Sequence, residues 1–559
     1  MSENTGSIGN TGNVSNIGNE PVTAPADAAA NALFQAMIGA AGPEATGWTG
    51  PPALGRGVPD DTDVLILGGG IAGLTAAYEL GRRGYHCTVL EAQERLGGRN
   101  RTARNGDELY EVDAAGDPQH TYTCTFDDGL YLNLGPGRIP YHHRRVLHYC
   151  STFGVALEPY IMNTTANLAT TRQPAHRWAY GRLDNDVRGR VAEALAELTD
   201  DEELTDLLRF FGSLDAQDEY SGSTRSGYSK PLDVHDFPKP VPPLSLREIL
   251  DSGFWKKERP YHFYQPSDYL WQSALFQPVG GMDRIVEGFK RHLPWSTVTV
   301  LGAEVKKITL LETGRVRVDF DRGGTTQHAE AAYCVSNIPL SVLRNIELRG
   351  DFSGGFLDAV VNVPFEKTCK VGWQADRRFW EDDGNQIYGG ISWVDDPITQ
   401  IWYPSNDYFS PTGTGTLTGA YNFGAVAEAF SAHDPQKRLV EAREGAKKVH
   451  PEFGEEDVVP TGHGVSVAWH KVPHQLGGWA AWKPKDTDHQ RWYKQLLQAE
   501  GGGRFFVTGD QASPLPGWQE GAMMSAQYVV GQMQGSLPLT LAPEVRVAVP
   551  DSVALTQGR

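Results

Sequence analysis

Three glycine-rich turns, one arginine and one lysine carry the chemistry that can be read from this sequence. The first turn is Gly68-Gly69-Gly70-Ile71-Ala72-Gly73. It follows a short apolar run, residues 63–68 (DVLILG), and opens a helical pattern, LTAAYELGRRG. A second strand-like run, CTVLEA, carries Glu91 and Ala92. Each glycine has a distinct task in such a unit. Gly68 permits the tight turn, Gly70 lets backbone approach a pyrophosphate, and Gly73 lets helix and strand pack closely. The helix start, with Ile71 and Ala72 in its first turn, then presents free N–H groups and a positive dipole end to phosphate. Glu91 lies 23 residues beyond Gly68, where a carboxylate accepts hydrogen bonds from a ribose and repels an extra phosphate, which argues against NADP.

The second turn, ERLGGRNR (94–101), distinguishes one dinucleotide from another. Gly97 and Gly98 allow close backbone approach, and the Arg99 guanidinium can bridge phosphate oxygens bidentately. This stretch resembles the second motif of the glutathione-reductase-like flavoproteins and, among them, of the flavin amine oxidase family. The resemblance runs in blocks over most of residues 60–535. PVGGMDRIVEGF (278–289) looks like the segment that returns the chain to the cofactor domain. The strand TVTVLGAEVKKI follows, with Val305 in the place that meets the adenine, and YCVSNIPL (333–340) looks like a further return. FFVTGDQASPLPGWQEGAMMSA (505–526) resembles the closing motif. There Gly509 and Asp510 would serve the ribityl and pyrophosphate region. A helix starting near Gly521, with Ala522, would point its N-terminus at the flavin pyrimidine ring and stabilise an anionic reduced flavin. The implied cofactor is FAD. No cysteine stands in a convincing position for a covalent flavin link, so FAD is expected to be noncovalent.

Two further blocks resemble the L-amino acid oxidase branch. In LNLGPGRIPYHHRRVLHYCSTFGVALEPY (132–160), Gly135, Pro136 and Gly137 precede Arg138, which matches the arginine that binds the substrate carboxylate. A fixed guanidinium suits that task because two parallel charge-assisted bonds also set orientation. In KVGWQADRRFWEDDGNQIYGGISWVDDPITQIWYPSNDY (370–408), Lys370 matches a lysine that holds a water near flavin N5. Tyr403 is the best match to a tyrosine on the carboxylate, with Trp402 the register-shifted alternative. Gly517 and Trp518 match positions where a backbone carbonyl and an indole wall contact the substrate amine. One departure stands out: some members carry a histidine, proposed as a base, where this chain has Gln265, with His262 nearby. His142 and His143 have no partner at metal spacing and are expected on a helix surface or at an entrance. No metal site is expected.

The resemblance implies oxidative deamination of an L-α-amino acid. Hydride passes from Cα to flavin N5, dioxygen takes the electrons to give hydrogen peroxide, and the imino acid hydrolyses to a 2-oxo acid and ammonia. Within the family the alternatives are an amino acid 2-monooxygenase, a tryptophan-type oxidase of alkaloid biosynthesis, and a monoamine or polyamine oxidase. A non-catalytic FAD-binding module is the alternative from another class.

The elements that must position these residues follow from pattern and composition. The implied fold is α/β: a glutathione-reductase-like FAD-binding Rossmann domain with a mixed-sheet substrate domain and a helical insertion. Residues 1–59 read as a disordered arm or pro-segment: 2–20 is a Gly/Asn/Ser/Thr tract that cannot offset its ordering entropy, and 27–40 could form one short helix. The expected divisions are 60–140, 278–345 and 491–537 for the cofactor domain, 141–277 for a helical and substrate-domain segment, 346–490 for the substrate domain, and 538–559 for a tail. Residues 160–275 read as mostly helical, since DNDVRGRVAEALAELTDDEELTDLLRFFGSL has apolar positions at helical spacing. With 559 residues, 40% apolar and 21% charged, the composition is that of a soluble globular protein. A net charge of -19 disfavours nucleic acid, and no apolar run reaches the ~18 residues of a membrane span. Five scattered cysteines point to reduced thiols and a cytoplasmic location. A homodimer or higher homo-oligomer is expected.

Overall fold

A computed structural model describes residues 48, 50–54, 62–113, 115–172, 175–229, 237, 239–253 and 275–540. Its first sheet has five parallel strands in the spatial order Thr297–Val300, His86–Leu90, Asp63–Leu67, Tyr333–Ser336 and Phe505–Val507. Three distant stretches of sequence therefore build one layer. The central strand is apolar from Val64 to Leu67 because both of its faces are covered. Its period of two divides it: Val64 and Ile66 pack with Ala76, Ala77 and Leu80, whereas Leu65 and Leu67 pack with Ile308, Val318 and Phe505 on the other side.

The helix Ile71–Gly81 is buried along its whole length. Only Thr75 and Glu79 are strongly polar in it; a helix so largely apolar belongs inside a protein, and this one lies against the helix Gln519–Met533. The fit leaves no room at Gly73, where a Cβ would sit 2.0 Å from the carbonyl oxygen of Gly68. The helix expected near Gly521 begins two residues earlier, at Gln519.

The second sheet has seven strands, in the order Ala175–Ala179, Leu168–Arg172, Ile391–Trp393, Gln400–Trp402, Gly415–Phe423, Thr368–Ala375 and Gly464–Ala468. Its pairings are antiparallel except for the parallel bridge of Trp393 to Ala169. The strand Thr368–Ala375 is buried at every position. Cys369, Val371, Trp373 and Ala375 point into one apolar core, so the alternation sends Lys370 to the opposite face.

Among its described residues, the segment 160–275 is less helical than its periodicity implies. Residues Leu168–Arg172 and Ala175–Ala179 form a hairpin on the edge of the seven-stranded sheet. The helices Tyr180–Ala196, Glu202–Gly212 and Leu246–Asp251 come after it. The hairpin buries Ala169 and Trp178 against Leu183, Val187 and Ile249, so a helix covers the strands instead of replacing them. The short helix expected at 27–40, the positions Gln265 and His262, and the tail beyond 540 lie outside the described residues. All five cysteines are free and buried. Among the described residues no helix is long and apolar enough to cross a membrane, and no cluster of side chains could hold a metal ion.

Candidate functional site

A cavity of about 680 Å³ is lined from both sheets. Its floor is the first glycine-rich turn: Gly68, Gly70, Ile71 and Ala72 face it. Gly70 caps the helix Ile71–Gly81 without a side chain, which leaves first-turn amides and the positive end of the dipole to the cavity. The second turn is tied to the first, since Gly97 N–H donates to the Gly69 carbonyl at 2.8 Å. Gly97, Gly98 and Arg99 continue the wall. Glu91 and Ala92 close one end of it, with Val305 close by. The Glu91 carboxylate accepts from Gly69 N–H at 2.7 Å and Gln93 N–H at 2.9 Å. Burial pushes this carboxyl up, and the two amides work against that shift.

The closing motif forms the opposite wall. Arg99 and Asp510 meet there as an ion pair. Arg99 also donates to the Gly478 carbonyl at 2.6 Å, and Asp510 accepts from Gly517 N–H at 3.1 Å. Gly517, Trp518 and Ala522 face the cavity where the helix Gln519–Met533 begins, again without a side-chain cap. Gly509 stands behind Asp510, at a φ of 118° that favours glycine, and its N–H donates to Ser525 Oγ at 2.9 Å. The cavity thus offers a carboxylate acceptor for ribose hydroxyls, two uncapped helix starts for phosphate and for an electron-rich ring edge, and an apolar residue for a base. These residues fit FAD.

The other face of the site is built from side chains. Arg138 is buried, 7% exposed. Its guanidinium lies 4.7 Å from the Trp402 ring centre and 5.8 Å from that of Trp518. Gly135, Pro136 and Gly137 bring it there. A Cβ at Gly135 would sit 1.9 Å from the Arg99 carbonyl oxygen, and one at Gly137 would sit 2.9 Å from the Trp402 indole. Lys370 is 1% exposed. Its Nζ donates to the carbonyls of Asn133 at 3.0 Å and Gly135 at 2.9 Å, and lies 4.7 Å from the ring centres of both Trp402 and Tyr421. Burial, then the charge of Arg138, push this ammonium down to about 7. Burial also lowers Arg138, with Tyr160 and Tyr421 acting in the opposite sense. The arrangement can hold a carboxylate at Arg138 and can hold or release a proton at Lys370 near neutral pH.

Tyr403 does not take the place expected of it. Trp402 and Tyr403 are successive along an extended chain, so they face opposite sides. Trp402 packs with Tyr160 and Ile391 on the site side. Tyr403 enters the apolar core, where its hydroxyl meets His450 Nε2 at 2.6 Å and Ser392 Oγ at 2.8 Å. The aromatic hydroxyls at the site are Tyr421, which lines the cavity, and Tyr160, which lies beside the Arg138 guanidinium. Tyr421 was not singled out from sequence: it pairs across the sheet with Lys370, a partnership that only the folded sheet shows. His143 is not a surface residue either. It is 1% exposed and packs edge-on against Trp518 at 4.8 Å, and burial followed by the charge of His142 pushes it down to about 3. Asn337 was also missed. It donates to the Gly68 carbonyl at 3.3 Å and fills the space beside Gly70, where a Cβ would lie 2.8 Å from its Nδ2.

Comparison with known proteins bears on this geometry. Residues 71–533 match the family model described as flavin containing amine oxidoreductase. An L-amino-acid oxidase of Siganus canaliculatus is 25% identical over 489 residues, covering 83% of this chain and 83% of that protein. The flavin-dependent L-tryptophan oxidase RebO of Lentzea aerocolonigenes is 26% identical over 502 residues, covering 84% of this chain and 97% of that protein. A solved structure of putrescine oxidase with putrescine bound covers 85% of this chain and 99% of its own, with a TM-score of 0.54 at 15% identity, which is a likeness of fold.

Proposed function

The chain belongs to the flavin containing amine oxidoreductase family, and from that premise we propose that it oxidises an L-α-amino acid to a 2-oxo acid with release of ammonia and hydrogen peroxide. The observation that carries the reading is Arg138, a buried guanidinium set between Trp402 and Trp518. A buried cation next to the cofactor groove favours a substrate carboxylate and repels a diamine. Relatives named as L-amino-acid oxidases support the same reading.

In this mechanism Arg138 grips the carboxylate through paired charge-assisted bonds, with Tyr421 and Tyr160 beside it. Trp402 and Trp518 hold the guanidinium between them, which fixes the direction of that grip. The substrate amine must be neutral before its Cα–H leaves, and the buried Arg138 guanidinium favours loss of its proton. FAD, held by the residues above, would supply the two-electron redox chemistry, with dioxygen as the final acceptor. Lys370 holds a proton at Nζ against the carbonyls of Asn133 and Gly135, and in this reading it serves the oxygen half of the cycle through a water. The protein contributes position and charge in a largely apolar chamber. The noncovalent FAD, the cytoplasmic setting and a homo-oligomeric state belong to the same proposal.

An anaerobic screen of flavin reduction by the twenty amino acids and their decarboxylated amines tests the class and the substrate together. The expected result is bleaching by amino acids and none by the amines. Arg138→Met should lower kcat/KM for amino acids by roughly 100-fold or more, corresponding to loss of a buried charge-assisted pair worth about 2–5 kcal/mol. A variant within about threefold of wild type would overturn the carboxylate assignment.

A further inference from the structure

The segment that carries Arg138 and the segment that carries Trp518 meet at three points. Arg138 lies 5.8 Å from the Trp518 ring centre, and His143 lies 4.8 Å from it. The third meeting is two residues beyond each of these partners, at Arg145 and Glu520. The helix Arg144–Thr152 starts without a side-chain cap of its own. Its first amides go instead to Glu520, from a helix far away in sequence. The Glu520 carboxylate accepts from Arg145 N–H at 3.0 Å and Val146 N–H at 3.1 Å, and Arg145 Nη1 closes the ion pair at 3.0 Å.

This contact is the first link of a buried polar chain. Arg145 Nε donates to Gln527 at 3.0 Å, Gln527 donates to the Tyr149 hydroxyl at 2.9 Å, and that hydroxyl donates to Glu79 at 2.7 Å. Glu79 ends the chain in an ion pair with Arg83. All six side chains belong to buried residues. Removing one partner from either ion pair, Arg145–Glu520 or Glu79–Arg83, leaves a charge in a poor solvent, which is strongly destabilising.

The two ends of the chain have different neighbours. The Arg83 end joins the rear of the helix Ile71–Gly81 to its surroundings. The Glu520 end sits directly behind the pair that, on the amino acid reading, grips the substrate. We propose that Glu520 is a positioning residue: its carboxylate clamps the start of the helix Arg144–Thr152 to the start of the helix Gln519–Met533, and so sets where Arg138 stands over Trp518. No part of the site's own chemistry passes through Glu520. Its effect is on the geometry of carboxylate capture.

The test uses the FAD-loaded protein and benzoate, a carboxylate without an amine, whose binding is followed by the change it causes in the flavin spectrum. Glu520→Gln should weaken benzoate about tenfold, by misaligning a paired charge-assisted contact, while FAD stays bound at the wild-type ratio. Arg83→Met, at the far end of the same chain, should lower Tm and leave the benzoate Kd within about twofold. Where Glu520→Gln does not fold, Glu520→Asp keeps the charge, shortens its reach and should show the same loss. Equal effects of the Glu520 and Arg83 variants on Kd, or no effect of either, would overturn the clamp. If wild type is reduced by amino acids and binds benzoate, that result removes the clamp alone. If wild type does neither, the amino acid reading fails and the clamp fails with it.

Discussion

The two walls of the cavity are made in different ways. The cofactor wall is made of backbone: glycine-rich turns, uncapped helix starts and carbonyls, with few side chains. The substrate side is made of side chains: Tyr421 and Trp518 line the cavity, and Arg138, Lys370 and Trp402 pack against them. A backbone wall demands glycine at fixed spacings, because any Cβ would occupy the space of the ligand or of the neighbouring strand. A side-chain wall imposes no such spacing. Its members come from whichever strands happen to face it, so parity and register decide who belongs. The first wall tolerates almost no change in size, whereas the second tolerates change in size but not in charge.

The largest effect should come from breaking the backbone wall. At Gly73 an added Cβ would meet the Gly68 carbonyl oxygen at 2.0 Å. Both atoms belong to the turn that shapes the pyrophosphate site, and neither is the free end of a flexible side chain. Gly73→Val should therefore give protein without flavin, read as loss of the visible flavin absorbance after gel filtration. A variant that retained FAD at the wild-type ratio would show that the turn can yield, contrary to the comparison.

The next effect should come from changing charge in the side-chain wall. Lys370→Met keeps much of the volume and removes the ammonium. It should lower kcat/KM for dioxygen by about 100-fold, in the range of a lost proton-handling group. It should also alter how stability depends on pH, and the sign can be worked out. Folding depresses the ammonium from about 10.4 in the unfolded chain to about 7. Between those values the unfolded chain holds a proton that the folded chain lacks, so wild-type stability rises as pH climbs from 7 towards 10. Below pH 7 both states are protonated and the slope vanishes. The methionine variant lacks this contribution throughout. The difference in Tm, variant minus wild type, should accordingly shrink between pH 7 and pH 10. A difference that is flat across this window would mean that Lys370 is charged in the folded protein.

The two walls also differ in how far they could be read from sequence. Gly68, Gly70, Gly73 and Glu91 lie in one short stretch, where strand, turn, helix and second strand follow each other in order. The physical demand and the sequence pattern are the same thing there. Asn337 belongs to that wall but escaped notice, because its contact with the Gly68 carbonyl crosses between strands that are adjacent only in space. Arg138 and Lys370 were legible through resemblance to a family, with surroundings that burial alone could not supply. Tyr421 was not. Its membership rests on pairing with Lys370 across the sheet, and a bulge between Val371 and Gly372 shifts the register just beyond that pair. The hairpin of 168–179 was missed for a related reason: its strands are short, and the longer helical pattern after it dominates the window.

The smallest effects test the parity argument itself, with two neighbours on opposite faces. Trp402 lies against both cations of the site, 4.7 Å from Arg138 and 4.7 Å from Lys370, and its indole is fixed by a 2.6 Å bond to Gln400. Cation–ring contacts of this kind are worth about 1–2 kcal/mol when desolvated, so Trp402→Leu should reduce kcat/KM for amino acids by roughly tenfold. Tyr403 differs by one residue and faces the other way. Tyr403→Phe keeps the ring and deletes the hydroxyl that joins His450 to Ser392. Two buried polar atoms then lose a partner, which should cost about 1–3 kcal/mol in stability and leave kcat/KM within about twofold. Denaturant unfolding and steady-state kinetics on the same preparation would read both quantities. If the phenylalanine variant instead lost amino acid turnover while keeping its stability, Tyr403 would belong to the carboxylate site after all. The strand would then have to present its other face, and Trp402 would have to leave the two cations for the core.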